Sequence, residues 1–531
     1  MRKSLLRSTH APCLLSVSIL LSLSFFITAC SSSSSSPAVT STSGNPPRPV
    51  AFPTAASFPA DINYSQTALA IPTNLNDPYL SSTGAWLENQ NDLWGFIGLQ
   101  ASRIYSSLSL PQNEIIVAVI DTGTDYTAPD LDGRLWVNHG EFGGGKESNG
   151  IDDDGNGFVD DFIGWNWIHN NNNPIDDAGH GTHVAGSIAA IGGNAIGIVG
   201  VAPWVRIMSL KVCDYRGRCS ASDVRSAIRY AADMGAKVIN LSLGGPSNSA
   251  DNLAFDQVLA YAENKGALVV SAAGNSSQDV MNSVPANSNY SFTVSAHAND
   301  GLLCSTFSNF GLKIDISAPG CGFDGTSEIA GILSINSRKC GPSGSESCCS
   351  RITADGQYCL LMGTSMAAPH ASGLAALALT AAPVQSPRMI RQALLKSAAL
   401  AQGQSMGEKN LLHGWGLARA TDIPALAADA VGLRFHSPRY FTSSASHDIQ
   451  FTVEARQHAV TYRLLSIKLS GATNIALSAG SAITADQTIA SGQVVTSTAQ
   501  WSSTDSGTHL VILEAVSNGQ VYRDTIALQI P

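Results

Sequence analysis

Three residues in this chain have the types and settings that nucleophilic catalysis needs: Ser365, His180 and Asp121. Ser365 lies in Leu360-Leu-Met-Gly-Thr-Ser-Met-Ala-Ala-Pro-His370, where a Gly-Thr-Ser turn leads into a small-residue apolar run, Met366 to Ala382. That run reads as a buried helix. Thr364 is expected as its N-cap, the side-chain oxygen accepting from an unpaired backbone N–H. Ser365 then takes the first helical position, in the positive field of the helix N-terminus. Pro369, about a turn further in, cannot donate to the carbonyl of Ser365. A serine hydroxyl is a weak nucleophile until a base removes its proton. His180, in Gly179-His-Gly-Thr-His-Val-Ala-Gly186 at the head of a helical pattern, is the candidate base. Asp121, ending the apolar run Glu114-Ile-Ile-Val-Ala-Val-Ile120, is the candidate carboxylate that orients it. The chain order Asp, His, Ser is one of those known for such triads.

These residues must be brought together by the elements that carry them. The apolar run ending at Asp121 has the character of a strand buried on both faces of a parallel sheet. Similar runs recur at Val205–Val212, Lys237–Leu243, Ala267–Ala272, Phe292–Ala296 and Lys313–Ser317. Helical patterns lie between them at His180–Ala190, Ser222–Met234 and Asp251–Lys265. Alternating strands and helices predict an α/β, doubly wound, mostly parallel sheet. Sites in such sheets form at the carboxyl ends of the strands, where Asp121 stands. Two further strand ends, Leu241-Ser242-Leu243-Gly244-Gly245-Pro246 and Ala272-Ala273-Gly274-Asn275, have glycines that expose backbone edges. Asn275 also carries an amide able to donate to a negative oxygen.

An acidic loop offers metal chemistry. Asp152, Asp154, Asn156 and Phe158 stand at alternate positions with Gly157 for a sharp turn, as at the start of a calcium loop. The bidentate Glu of position 12 is absent, Ile163 standing there, so Asp160 or Asp161 is expected to close the shell. Asp77 is a weaker candidate for a second ion.

The motifs VAVIDTG, GHGTHVAG, LSLGGP, SAAGN and GTSMAAPH, in this order, resemble the subtilisin-like serine proteases, the subtilase family, over roughly Asn76 to Ala420. The resemblance implies that Ser365 attacks the peptide carbonyl, His180 shuttles the proton, and Asp121 holds the imidazole. It also implies that the Asn275 amide and the Ser365 N–H bind the oxyanion. Leu241, Ser242, Leu243, Gly244 and Gly245 would pair with an extended substrate. With Ala272, Ala273 and Gly274 they would wall a specificity pocket that favours an apolar side chain. Structural calcium is implied as well, because related bacterial subtilases carry this kind of acidic insert. The long cysteine-rich stretch from Cys321 to Cys359 is expected to cover part of the cleft.

The remaining chain sets compartment and domains. Arg2, Lys3 and Arg7 precede an apolar stretch, Leu14 to Ile27, too short to span a membrane as a helix. It runs into Ile27-Thr28-Ala29-Cys30, which resembles a bacterial lipoprotein signal. The expectation is a signal peptide over 1–29, then a lipidated Cys30 and a Ser/Pro-rich tether over 30–62. This would make a membrane-anchored cell-envelope protein facing the periplasm or the cell surface. Eight cysteines remain after Cys13 and Cys30 are set aside, and in an exported chain they read as disulfides. Cys213 and Cys219, flanking a short turn, are the easiest pair to propose. A catalytic domain over 63–432 is followed by β-rich segments over 433–531 that read as a sandwich-like all-β module. The net charge of −10 argues against nucleic acid as a partner. The favoured function is a serine endopeptidase acting on polypeptides, against an inactive subtilase-like surface binding protein. An aspartic protease built on Asp121-Thr-Gly and Asp505-Ser-Gly507, and a zinc hydrolase using His180 and His183, are weaker readings.

Overall fold

A computed structural model describes residues 27–28, 69–87, 91–322, 331–339, 352–353, 356–436, 446–503 and 505–530. Cys30, the tether, Cys340, Cys348, Cys349 and much of the stretch between Cys321 and Cys359 lie outside those residues.

Each apolar run becomes a strand of one seven-stranded sheet. In chain order they are β1 (Ile116–Asp121), β2 (Gly164–Asn166), β3 (Arg206–Lys211), β4 (Val238–Leu241), β5 (Leu268–Ala272), β6 (Ser291–His297) and β7 (Ile316–Pro319). Their spatial order is β7-β6-β5-β4-β1-β3-β2, and every pairing is parallel. The short edge strand β2 had no apolar run to announce it. Helices α1 (His180–Ala189), α2 (Ala221–Asp233), α3 (Ser249–Asn264), α4 (Thr364–Ala381) and α5 (Pro387–Ser397) complete the α/β layer.

Strand β1 shows how the sheet sorts its side chains. Val117 and Val119 enter one core with Val184 and Ile188 of α1 and Leu374 and Leu377 of α4. Ala118 and Ile120 enter the other with Val224 and Ile228 of α2 and Phe255 and Leu259 of α3. A strand alternates faces with period two, so Asp121 shares the parity of Val117 and Val119. It therefore points to the face covered by α1 and α4. Tyr79, Trp94 and Phe96, ahead of the sheet in sequence, are buried against this same core. Buried at every residue from Thr364 to Thr380, α4 is built largely of Ala, Gly and Ser, which lets it run through the interior beside α1.

Toward the C-terminus the chain turns to antiparallel strands. Gly432–Phe435, Ser446–Glu454 and Val494–Ser502 form one sheet. Val460–Lys468, Gly507–Ser517 and Gln520–Ile530 form the body of a second. Leu433, Phe451 and Trp501 from the first share a core with Leu464, Val511 and Tyr522 from the second. Asp505 is exposed in the loop between two of these strands, whereas Asp121 is buried at the end of β1. Cys213 and Cys219 are disulfide-bonded, as are Cys304 and Cys321.

Candidate active site

Asp121, the last residue of β1, is 1% exposed. Its Oδ1 accepts from the backbone N–H of Thr122 at 2.7 Å and lies 2.8 Å from His180 Nδ1. The close approach depends on Gly181, since a Cβ there would fall 2.1 Å from the Gly123 carbonyl oxygen. With Nδ1 engaged, His180 Nε2 is left buried and without a hydrogen bond. Burial pulls the His180 pKa down. The charge of Asp121, its hydrogen bond and the charge of Asp176 outweigh that and hold the imidazole above its ordinary value.

Asp176 was not foreseen. Its Oδ1 accepts from the N–H groups of Ala178 and Gly179 at 2.9 Å and from Thr122 Oγ1 at 2.8 Å. Its Oδ2 accepts from the N–H of Thr182 at 2.9 Å and from Thr182 Oγ1 at 2.6 Å. One carboxylate thus satisfies the open N-terminal turn of α1 and ties it to the end of β1. An Asp four residues before a helix-opening His was the available signal.

Ser365 lies at the second position of α4, not the first. The helix begins at Thr364, with Gly363 in the N-cap position and no side-chain cap. Thr364 Oγ1 instead accepts from the N–H of Gly274 at 3.0 Å and donates to Asn275 Oδ1 at 2.8 Å. A hydroxyl expected to close its own helix is used to fasten a neighbouring loop. Asn275 Oδ1 also accepts from the N–H of Thr364 at 2.9 Å. These bonds orient the amide, whose other end, Nδ2, carries only donors.

Ser365 Oγ donates to the carbonyl of Ser242 at 2.9 Å, one residue beyond β4. Ser242 Oγ donates back to the carbonyl of Ser365 at 2.8 Å. That carbonyl is free of the helical ladder because Pro369, four residues on, has no N–H. Beside Ser365 is a cleft of about 210 Å³, lined by Leu243, Gly244, Gly245, Ala272, Ala273, Gly274, Asn275 and Thr364. Pro246, Ser276, Gln278 and Ser283 also line it, and no lining residue carries a charge. Leu241 is buried within β4 and is not part of the lining.

His183 is directed elsewhere. Its Nε2 is 2.9 Å from the carbonyl oxygen of Ile332 and 3.2 Å from that of Cys359, and burial pushes its pKa down to about 3. Among the described residues, the one group of three or more converging metal-ligand side chains is Glu141, Asp154 and Asp161. It does not include His180 or His183.

The acidic loop divides its carboxylates. Asp152 accepts from the N–H groups of Gly155, Asn156 and Gly157. Asp160 accepts from Gly150, and its backbone takes a positive φ of 57°. Phe158 stacks edge-on against Trp165, Trp167 and Tyr230. Asn156 Nδ2 donates to Asp154 and Asp161. Burial raises the pKa of Asp161 and of Glu141, a residue the loop pattern did not include because it precedes the loop by eleven positions. An oxygen-only, carboxylate-rich group fits a hard divalent cation. Asp77 is taken up by the N–H of Gly193, at 2.9 and 3.0 Å.

A buried carboxylate–imidazole pair at the strand ends of a parallel sheet, beside a serine at a helix head and an uncharged cleft, is the arrangement of a hydrolase working through serine. Residues 112–416 match the subtilase family, peptidase S8. The chain is 36% identical over 282 residues to the thermophilic serine proteinase of Bacillus sp. strain AK1, covering 53% of this chain and 56% of that one. It is 33% identical over 261 residues to thermitase of Thermoactinomyces vulgaris, covering 49% and 73%. To subtilisin BL of Lederbergia lenta it is 34% identical over 327 residues, covering 62% and 96%. A solved protease structure from Pseudoalteromonas arctica superposes with a TM-score of 0.50 at 26% identity, over 66% of this chain and 99% of that one. The chain therefore belongs to the subtilase family, a family of serine-type endopeptidases.

Proposed function

We propose that this protein is an endopeptidase that cuts polypeptides through Asp121, His180 and Ser365. The observation that carries the reading is the His180 ring, bonded to Asp121 through Nδ1 with Nε2 left unbonded. An imidazole fixed in this way presents its basic nitrogen, provided that Nδ1 holds the proton it donates to Asp121. When substrate enters, the Ser365 hydroxyl leaves the Ser242 carbonyl for Nε2. Resting enzymes often hold such contacts open and tighten them in the complex. Ser365 Oγ then attacks the carbonyl, and His180 passes its proton to the leaving amine. Asn275 Nδ2 and the Ser365 N–H receive the oxyanion. The uncharged cleft would take an uncharged side chain before the cut.

We further propose that residues 63–432 are the catalytic domain and 433–531 a β-sandwich-like module. Calcium supports the fold through the loop from Asp152 to Asp161, where it would neutralise carboxylates and hold the loop in one conformation. Cys30, on this reading, is acylated and anchors the protein in the cell envelope. Labelling with a palmitate analogue should mark the wild type and not Cys30→Ser.

The test of the activity is hydrolysis of denatured casein by wild type, Ser365→Ala and Asn275→Ala. The expected order is full activity, none, and a loss of roughly 10²–10³ in kcat for Asn275→Ala, the magnitude already known for this donor in the family. Equal turnover by wild type and Ser365→Ala would remove the proposal.

A further inference from the structure

Asn275, the amide that the proposed mechanism aims at the oxyanion, stands on a turn with no regular structure of its own. Residues 273–278 leave β5 and rise to the surface, where Ser276 and Ser277 are exposed. Gly274 and Ser277 both take positive φ, at 102° and 47°. Such a segment has little of its own to hold it in one conformation. A donor for a developing charge must nevertheless be in place before the reaction begins. Thr364 fixes the Asn275 side chain. The backbone beneath it needs an anchor as well.

Asn309 has the contacts of that anchor. It is 0% exposed and lies outside the cleft lining. Its Oδ1 accepts from the N–H groups of Ser276 and Gln278, at 3.0 and 3.1 Å. Its Nδ2 donates to the Ala273 carbonyl at 2.9 Å and to Ser283 Oγ at 3.0 Å. Its own N–H donates to the Gly274 carbonyl at 2.9 Å. A side-chain amide has two donor hydrogens and an oxygen that accepts twice, and all of that capacity is used here. The backbone N–H groups can only donate and the carbonyl can only accept, so the amide has one workable orientation. Apart from the bond to Ser283, every one of these bonds goes to the turn, on both sides of Asn275. Position 274 must be glycine where the amide packs, since a Cβ there would fall 2.5 Å from Asn309 Nδ2.

We propose that Asn309 is a positioning residue for the oxyanion donor: it clamps both arms of the 273–278 turn and so sets where the Asn275 amide points. The same side chain holds Ser283, which lines the cleft. One buried amide thus fixes the donor relative to the wall against which substrate lies. Asn309 touches no substrate, and its effect is transmitted through the turn. This rests on the oxyanion role given to Asn275 above.

The test is a double-mutant cycle on the full-length enzyme. kcat and KM are read on a peptide anilide, below the melting temperature of every variant. Asn309→Ala should lower kcat by roughly ten- to a hundredfold and change KM little. In an Asn275→Ala background the same substitution should cost almost nothing further, because the group it positions is gone. Asn410→Ala is the control for losing a buried asparagine. Asn410 is 3% exposed, bonds to Asn474, Leu412 and His413, and lies outside both the cleft lining and the turn. Its loss should lower the melting temperature, read on a Ser365→Ala background, and keep the parent kcat. Asn309→Ser, a smaller change, is read in the same way if the alanine variant does not fold. A parent-like kcat in Asn309→Ala overturns the proposal. An equal fold loss with and without Asn275 shows a role in the fold alone and overturns it too. A parent-like kcat in Asn275→Ala removes the oxyanion reading itself, and this proposal with it.

Discussion

Ser242 and Ser365 hold each other at both ends, Oγ of each donating to the carbonyl of the other at 2.8 and 2.9 Å. The strand end thereby aligns the head of α4, and the bond from Ser242 exists only because Pro369 leaves the Ser365 carbonyl open. Ser242→Ala should remove a hydrogen bond to a buried carbonyl and cost about 0.5–1.5 kcal/mol. Urea unfolding on an inactive background measures it. A midpoint equal to the parent's would mean that the carbonyl finds another donor.

Asp176 is a positioning residue for His180. It caps α1, anchors Thr122 beside Asp121, and adds a second negative charge near the ring. Asp176→Asn removes that charge, so the His180 pKa falls. On the proposed mechanism the base works in its neutral form, so the acid limb of the kcat/KM profile should move to lower pH. The lost charged hydrogen bonds should cost about 3 kcal/mol. If stability falls but the acid limb stays in place, Asp176 acts on the fold alone.

Four buried histidines make the fold sensitive to acid. Burial lowers His183 and His297 to about 3, and His370 and His413 to about 4, from an ordinary 6.5. Between those values the unfolded chain binds protons that the folded chain refuses. The stabilisation is complete above pH 6.5 and is lost as pH falls toward 4, by up to about 1.4 kcal/mol per histidine per pH unit. Urea midpoints of the Ser365→Ala protein should be clearly lower at pH 5 than at pH 7. Equal midpoints would show that these rings take up protons without cost.

Arg391 of α5, 3% exposed, joins the two halves of the chain. It pairs with Asp315 beside β7 at 2.6 Å and with Asp524, in the last strand, at 3.1 Å. Burial alone would raise the Asp315 carboxyl, but the charges of Arg391 and Lys313 hold it well below the usual range. Arg391→Ala leaves buried Asp524 without its cation and Asp315 with Lys313 alone, and should cost about 3–5 kcal/mol. Its melting temperature should fall, and the C-terminal strands should become susceptible to an added protease. An unchanged melting temperature would contradict the coupling.

The local sequence alone marked six of the seven sheet strands, the helices packed on them and the residues proposed to carry the chemistry. Buried parallel strands need unbroken apolar runs, and their ends need glycine, so Asp121, His180, Asn275 and Ser365 each stand in a local pattern that names them. The edge strand at Gly164–Asn166 escaped because three residues make no run. Only the tertiary structure decided which side chains share a hydrogen bond. Thr364 serves Asn275 and not its own helix, Ser242 faces Ser365 across 123 positions, and Glu141 meets Asp154 and Asp161 from outside their loop. Such bonds are satisfied by whichever partner the packing brings within reach. A linear pattern records spacing along the chain, and it holds no trace of neighbours created when a sheet and its helices close on one another.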